Sequence, residues 1–160
     1  MTIPRESAAA ILDRNVEAMI HDWIELVAQD EELASVSLNH DDRTVHLHSL
    51  FHDLVIRPCL PHGSKAPTSL AARLHGRLRH EQAYTIPMIV DESRILELII
   101  FGMLLKNLAS VDFSGLLQDV ITVADEADSQ LKQTVLGYMD VEAHKPPILR
   151  NRDVRSKAWN

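Results

Sequence analysis

The chain has 160 residues, of which 46% are apolar and 24% charged, and its formal net charge is −7. This length predicts a single globular domain, and the acidic balance disfavours general nucleic-acid binding, which requires a basic face. Aromatic residues make up only 4% and glycines number five, so neither a β-sandwich nor a glycine-rich nucleotide site is expected.

Apolar residues recur every three or four positions along the first half of the chain, as on one face of a helix. A first helix is predicted from about Pro4, a residue tolerated at the first helical position, to about Val27. The polar run that starts at Asn39 suits the beginning of a second helix, which should end before Pro58. The residues from Pro58 to Pro67 include three prolines and a glycine, which predicts a loop.

Three further helices are predicted after this loop. Thr68 or Ser69 caps the third, which runs to about Gln82, and Thr85 begins the fourth. Asp112 caps the last and longest helix, whose apolar face against the core is predicted to hold Phe113, Leu116, Leu117, Val120, Ala124, Ala127, Leu131, Val135 and Tyr138. Its opposite face is predicted to be solvated and carries Asp119, Asp125, Glu126, Asp128 and Lys132.

The predicted fold is therefore all-α, a single five-helix bundle with a long C-terminal helix. Residues 1–141 form the helical domain, and residues 142–160 form a basic, proline-containing tail that is extended or disordered. The fourth helix is apolar on nearly all sides from Ile95 to Leu105, so it must be central to the bundle or to a subunit interface. The residues expected to build this core or dimer contact are Leu98, Ile99, Phe101 and Leu105.

Histidine is the unusual residue count, since seven of the nine histidines fall between His40 and His80. His48 and His52 are four residues apart, so both rings could reach one metal ion from the same helix face. Ser49 occupies the position at which a zinc-protease helix carries glutamate, so that pattern fails. The alternative is a polar helix face whose histidines contact water or a neighbouring subunit.

His75 is followed by Gly76, with Arg79 one helical turn further on. A glycine inside a helix costs about 1 kcal/mol relative to alanine, and it usually marks the close approach of another backbone or of a ligand. On a functional interpretation, His75 and Arg79 line a cavity between helices. On a structural one, they bond helix-end carbonyls or carboxylates such as Glu92.

The sequence contains few signals for disulfide, nucleophilic or phosphate-binding chemistry. Cys59 is the only cysteine, so no internal disulfide can form, and nothing around it suggests an activated thiol. No phosphate-binding loop or nucleophile elbow occurs. The N-terminus lacks a secretory core, and the run from Leu98 to Leu105 is about a third of the length a bilayer requires. We therefore expect a cytoplasmic protein without membrane or nucleic-acid partners.

Several of these residues together resemble the RsbRD-type N-terminal domain of bacterial stressosome co-antagonists and of some sensor histidine kinases. The shared pattern is His75-Gly76-x-x-Arg79, then Tyr84, then Ile89-Val90-x-Glu92-x-Arg94-x-Leu96, then Asp125 and Asp128 before Tyr138, with Trp23 in the first helix. The resemblance covers roughly residues 10–140. It implies a globin-like helical fold that dimerises, lacks haem and passes a signal through its last helix to an output domain.

Two departures from that pattern stand out. The family's Gly-Tyr step is Ala83-Tyr84 here, a minor change, and neither a STAS domain nor a kinase core fits after Val141. The sequence therefore predicts a non-catalytic, homodimeric signal-input domain that acts on a STAS-domain or kinase-type partner or belongs to a missing output domain. The candidate sensing residues are His75, Arg79, Tyr84 and Glu92, and no cofactor is expected.

Two alternatives remain open at this point. One is a haem-binding gas sensor, in which the axial ligand would be His46, His48, His52 or His75. The other is a metal-dependent helical protein built on His48 and His52, which lacks an evident set of carboxylate ligands.

Overall fold

A computed structural model describes residues 5–61, 63–65 and 68–144. Within these residues the regular structure is helical, with no strand beyond an isolated bridge between Glu6 and Val111. Short 3-10 turns occur at Arg57–Cys59 and Leu108–Ser110. The α-helices are α1 (Ala8–Arg14), α2 (Val16–Gln29), α3 (Glu31–Ser35), α4 (His40–Thr44), α5 (Leu47–Ile56), α6 (Leu70–Glu81), α7 (Ile86–Lys106) and α8 (Leu116–Ala143). The all-α class is confirmed, as is the long last helix.

The five predicted helices correspond to α1 with α2, α4 with α5, α6, α7 and α8, and α3 is an additional turn. The first divides at Asn15, whose side-chain amide donates to the carbonyl of Ile11 at 2.7 Å and so competes with the helical hydrogen bond. The predicted start near Pro4 lies outside the described residues. The first helical residue described is Ala8, capped by the Ser7 hydroxyl at 3.2 Å from the Ala10 amide. The predicted tail lies outside the described residues from position 145 onward.

Side-chain caps at the helix N-termini were largely predictable. Asn39, Ser69 and Thr85 each accept a hydrogen bond from the backbone amide three residues on, which satisfies one of the unpaired donors of that helix. The prediction that Asp112 caps the last helix was wrong. Its carboxylate accepts from the amide of Ser114 at 3.0 Å, and α8 begins only after Gly115.

Helix α7 is central, as its apolar sequence predicted, but it is not covered on all sides. It packs against α2 on one side and α8 on the other, and Ile99 lies in the core. Phe101 is half-buried, whereas Leu98 and Leu105 are exposed. The described residues therefore leave one apolar face of α7 in contact with solvent. Within the same residues, no helix combines the length and apolar content needed to cross a membrane.

Helices α6 and α8 touch through their backbones at two glycines. A Cβ atom on Gly76 would lie 1.8 Å from the carbonyl oxygen of Thr134, and one on Gly137 would lie 2.0 Å from that of Arg73. Neither position has room for any side chain, because real Cβ contacts are never this short. The sequence-based expectation that Gly76 marks a close approach is confirmed, and the approaching backbone belongs to α8.

The turn between α6 and α7 places Tyr84 in the core. The amide of Ala83 bonds the carbonyl of His80 at 3.1 Å, and that of Tyr84 bonds Arg79 at 3.0 Å, which is the Schellman pattern of helix termination. Ala83 has a φ of 63°, in the left-handed region where glycine is favoured. Alanine is therefore strained at this position, since this conformation costs roughly 1–2 kcal/mol for an L-residue.

The inward face of α8 differs from the predicted one. Glu126, expected on the solvated face, is only 2% exposed, while Phe113 and Leu117, expected in the core, are 55% and 74% exposed. The buried positions of α8 are Val123, Glu126, Ala127, Gln130, Thr134 and Gly137. Half of these positions carry polar side chains. A prediction based on an apolar stripe alone therefore places the buried face of α8 about one residue out of register.

Candidate functional site

The four candidate residues that the sequence singled out lie together in the core. Arg79 donates from Nε to Glu92 Oε2 at 3.0 Å, and His75 Nε2 lies 3.2 Å from the same oxygen. The guanidinium carbon of Arg79 sits over the ring of Tyr84, 4.8 Å from its centroid, a cation–π contact. Arg79 is 0% exposed and Glu92 is 4% exposed. We call His75, Arg79, Tyr84 and Glu92 the buried ionic cluster.

The cluster also fixes α4, which no sequence motif indicated. Arg79 donates from its terminal nitrogen to the carbonyl oxygen of Arg43 at 2.8 Å. Arg43 in turn donates to the hydroxyl of Tyr84 at 3.2 Å and to the carbonyl of Val36 at 2.7 Å. The guanidinium of Arg79 therefore ties α4, α6 and α7 together, and the guanidinium of Arg43 extends these contacts to the α3–α4 connection.

The charges in the cluster stabilise one another. Burial alone would raise the pKa of Glu92, but the hydrogen bonds and charges of His75 and Arg79 hold this pKa below its usual value. Burial and the nearby Glu92 raise the pKa of Tyr84. Burial lowers the pKa of His46, and the charges of His75 and Arg79 lower it further. Glu92 is thus an ionised carboxylate at neutral pH, and Tyr84 a neutral phenol.

A cavity of about 30 Å³ adjoins the cluster, and we call it the polar cavity. His75 and Glu92 line it from α6 and α7, Gln130 and Thr134 from α8, and Trp23 from α2. Among the described residues, His75 Nδ1, Glu92 Oε1 and Gln130 Oε1 are buried without a hydrogen-bond partner. A space of this size holds one or two waters, and polar walls with unpaired atoms favour such occupancy.

Hydrogen bonds within the protein already occupy several of the polar groups around the polar cavity. Both charged groups of the cluster are hydrogen-bonded to protein, and the hydroxyl of Thr134 donates to the carbonyl of Gln130 at 2.9 Å. What remains available is a small set of hydrogen-bonding atoms in an otherwise apolar space. These atoms suit a water molecule or a ligand of similar size.

The histidines proposed as metal ligands are not part of this site. His48 and His52 lie on the exposed face of α5, and His48 Nε2 is 2.8 Å from the carboxylate of Glu17. His46 instead points inward, where its ring meets that of His75 edge-on at 5.7 Å. His62 lies outside the described residues. Among the described residues, the one group of three side chains close enough to share a metal ion is His21, Asp22 and Glu25 on the surface of α2.

The space beside His75 does not fit a haem as the helices are packed here. The polar cavity is of water size, and His75 Nε2 is engaged with Glu92. A porphyrin would need α6, α7 and α8 to separate, which the backbone contact at Gly76 opposes.

Sequence reasoning missed several residues that shape the site. Arg43, Gln130 and Thr134 were given no role, and Glu126 was placed on the solvated face. The available signal was weak: all three of the α8 residues are polar and lie at spacings of four from one another. Polar residues at this spacing predict either a solvent-exposed helix face or a buried polar contact between helices. The sequence is compatible with both.

Glu126 gives the protein an expected dependence on pH. Burial is the main cause that raises its pKa from 4.5 to about 7, with Asp53 and Asp125 adding to the shift and Gln130 and Arg57 opposing it. Folding therefore favours the protonated acid, so this stabilisation is complete below about pH 4.5 and is lost as pH rises through about 7. Glu126→Gln, neutral throughout, should be more stable than the wild type at pH 8 by about 2–3 kcal/mol.

Urea unfolding at pH 5 and pH 8 measures this difference. Asp128→Asn serves as the control, because Asp128 is an exposed carboxylate on the same helix and does not contribute to the pKa shift of Glu126. If Glu126→Gln and the wild type lose stability equally between the two pH values, the carboxyl is not the titrating group.

No family model matches this chain, and no curated protein or solved structure matches it either.

Proposed function

We propose that the chain is a non-catalytic signal-input domain that works as a homodimer and passes a change in packing along α8 to a signalling partner. The partner class that the sequence resemblance implies is a STAS-domain or kinase-type protein. The observation that carries the proposal is the shared wall of the polar cavity, to which the buried ionic cluster contributes from α6 and α7 and the transmitting helix from α8.

The position of Gln130 supports coupling between the polar cavity and α8. Its amide nitrogen donates to the carbonyl of Leu50 on α5 at 3.0 Å, while its carbonyl oxygen is buried and unpaired among the described residues. Occupation of the polar cavity offers that oxygen a donor, and loss of the occupant leaves it unsatisfied at a cost of about 1–3 kcal/mol. A difference of this size is enough to bias α8 between two arrangements.

The exposed face of α7 supports the homodimer. Leu98 and Leu105 are 56% and 69% exposed, and they lie on the same face of the helix, seven residues apart. Leu26 on α2 and the half-buried Gly102 border the groove beside Leu98. Asp22, Glu25 and Lys106 rim the same groove, and exposed apolar side chains with a polar rim are typical of surfaces that associate.

Leu98→Asp should weaken the homodimer at least tenfold, as measured by sedimentation equilibrium, because it puts a charge into the proposed contact. Val45→Asp is the matched control, since Val45 is also 56% exposed but lies at the α4–α5 junction. Ile99→Asp is unsuitable, because Ile99 belongs to the core. A wild-type chain that stays monomeric at about 100 µM would contradict the homodimer.

The signalling role is tested by fusing the end of α8 to an enzyme whose activity can be measured. Residues 1–140 are fused in helical register to the dimerisation and catalytic portions of a histidine kinase, and autophosphorylation is measured with wild-type Gln130 and with Gln130→Met. We expect the two rates to differ at least threefold. Insertion of one residue at the junction, which turns the output by about 100°, should change the rate, and insertion of seven should restore it.

Exposed substitutions on α8 provide the control in the same fusion. Lys132→Met changes a neighbouring residue that faces solvent and should leave the autophosphorylation rate unchanged. If Gln130→Met leaves the autophosphorylation rate unchanged at every junction length while the fusion remains folded and dimeric, α8 does not transmit the state of the polar cavity.

A further inference from the structure

A second pocket, of about 210 Å³, lies between the end of α5, the start of α6 and α8. Arg57 and Glu126 both line it, and they are 9% and 2% exposed. Their nearest charged atoms, Arg57 Nε and Glu126 Oε2, are 3.9 Å apart. We call this space the Arg57–Glu126 pocket, and its properties do not depend on whether α8 transmits a signal.

The two facing atoms form an ion pair with each other but make no hydrogen bond among the described residues. Neither Arg57 Nε nor Glu126 Oε2 has a hydrogen-bond partner, although both are buried. The other nitrogens of Arg57 are occupied, since one donates to the carbonyl of Ser64 at 2.9 Å and one to its hydroxyl at 3.4 Å. The other oxygen of Glu126 accepts from Gln130 at 3.4 Å. One donor and one acceptor are thus left without hydrogen-bond partners in the same pocket.

The distance between Arg57 Nε and Glu126 Oε2 indicates which chemical group could form a hydrogen bond with both atoms. At 3.9 Å they are too far apart for a direct hydrogen bond, which needs about 2.7–3.2 Å. A single oxygen placed to one side lies within hydrogen-bond distance of both. That oxygen must accept from the Nε–H of Arg57 and donate to Glu126, and a hydroxyl group does both at once.

The charges around the pocket favour a neutral occupant. A cation would face the guanidinium of Arg57, and an anion would face the carboxyl groups of Glu126 and Asp53. Asp53 is already held by the hydroxyl of Ser69 at 2.7 Å, so it does not neutralise Arg57 directly. The remaining lining includes the aliphatic side chains of Ile56 and Leu60, which suit a hydrocarbon chain.

We propose that the Arg57–Glu126 pocket binds a small neutral aliphatic alcohol or diol, whose hydroxyl bridges Arg57 Nε and Glu126 Oε2. The hydroxyl replaces the two missing hydrogen bonds, and the aliphatic part covers the apolar wall. Burial raises the pKa of Glu126 to about 7, and the bridging hydroxyl supplies a donor to Oε2, the oxygen of this carboxyl that has none.

The test compares two isomeric probes on the full-length chain labelled with ¹⁵N. 1,2-Butanediol offers hydroxyl donors, whereas 1,2-dimethoxyethane has the same atoms but can only accept. The Nε–H resonance of Arg57, assigned by its loss in Arg57→Lys, should move saturably with the diol. The ether should bind about tenfold more weakly, which is the effect of one lost hydrogen bond to a charged group.

A variant comparison supports the assignment of the pocket. Glu126→Met removes the acceptor and should weaken diol binding about tenfold, while Asp128→Asn on the exposed face of α8 should leave it unchanged. The proposal is overturned if the Arg57 Nε–H resonance does not move saturably, which would leave water as the occupant, or if both isomers bind equally. Tighter binding of butylamine or butyrate than of the diol would also overturn it. The two-isomer comparison uses the wild-type chain, so it stands even if Glu126→Met fails to fold.

Discussion

Gly76→Ala should destabilise the protein by about 3 kcal/mol or more. The new Cβ would lie 1.8 Å from the carbonyl oxygen of Thr134 and 2.9 Å from the amide nitrogen of Tyr138, so α6 and α8 would have to move apart. Backbone atoms cannot rotate away as a flexible side chain can. The separation would also loosen packing around the polar cavity, because His75 and Thr134 flank the contact. Urea unfolding followed by circular dichroism gives the change in the free energy of unfolding.

Gly102→Ala is the matched control for this substitution. Gly102 also lies inside a helix, α7, but a Cβ there would meet nothing within 4 Å. Alanine should therefore stabilise the protein by up to about 1 kcal/mol through its higher helix propensity. Opposite signs at the two glycines are expected, and similar effects would show that α6 and α8 are not in backbone contact.

Arg79→Met should cost about 3–5 kcal/mol, because it leaves Glu92 as a buried carboxylate without its guanidinium partner. It also removes the donor to the carbonyl of Arg43. Lys106→Met is the control, since its ion pair with Asp22 is exposed and such pairs contribute about 1 kcal/mol or less. Thermal and urea unfolding of both variants measure the difference.

A double-mutant cycle separates the charge from the packing. If Glu92→Leu is combined with Arg79→Met, neither buried charge is left alone, and the double variant should be less destabilised than the sum of the single variants. Strict additivity of the two losses would mean that Arg79 and Glu92 are not coupled. At acid pH the wild type should lose the contribution of Glu92, because its lowered pKa means that the ionised form is the stabilising one.

Local sequence signals predicted most of the helical architecture. Caps such as Ser69 and Thr85 act within three residues of their own position, so they can be identified from the sequence. The position of Gly76 inside a predicted helix likewise indicated the close approach of another backbone or of a ligand. Its counterpart Gly137 did not, because the pairing of two glycines on α6 and α8 depends on how the helices cross, and helix periodicity carries no information about crossing.

The four residues of the buried ionic cluster were predictable from the sequence, but the residues around them were not. His75, Arg79, Tyr84 and Glu92 were selected together, and the structure places them in contact. Gln130 was not selected, since its partner is the backbone carbonyl of Leu50, 80 residues away. A polar side chain bonded to a distant carbonyl leaves no pattern in the sequence. Glu126 was assigned to the wrong face because its spacing of four from Gln130 fits a solvated stripe of α8 as well as a buried one.

The backbone contact between α6 and α8 also restricts the ways in which α8 can move. Turning α8 about its own axis would replace Gly137 by a residue with a Cβ opposite the carbonyl of Arg73, where there is no space. Sliding α8 by one residue would likewise carry Gly137 away from Arg73 and bring a residue with a Cβ to that position. The two helices must therefore shift or bend as one body, so a displacement that reaches the end of α8 begins as a displacement of the α6–α8 pair against α7.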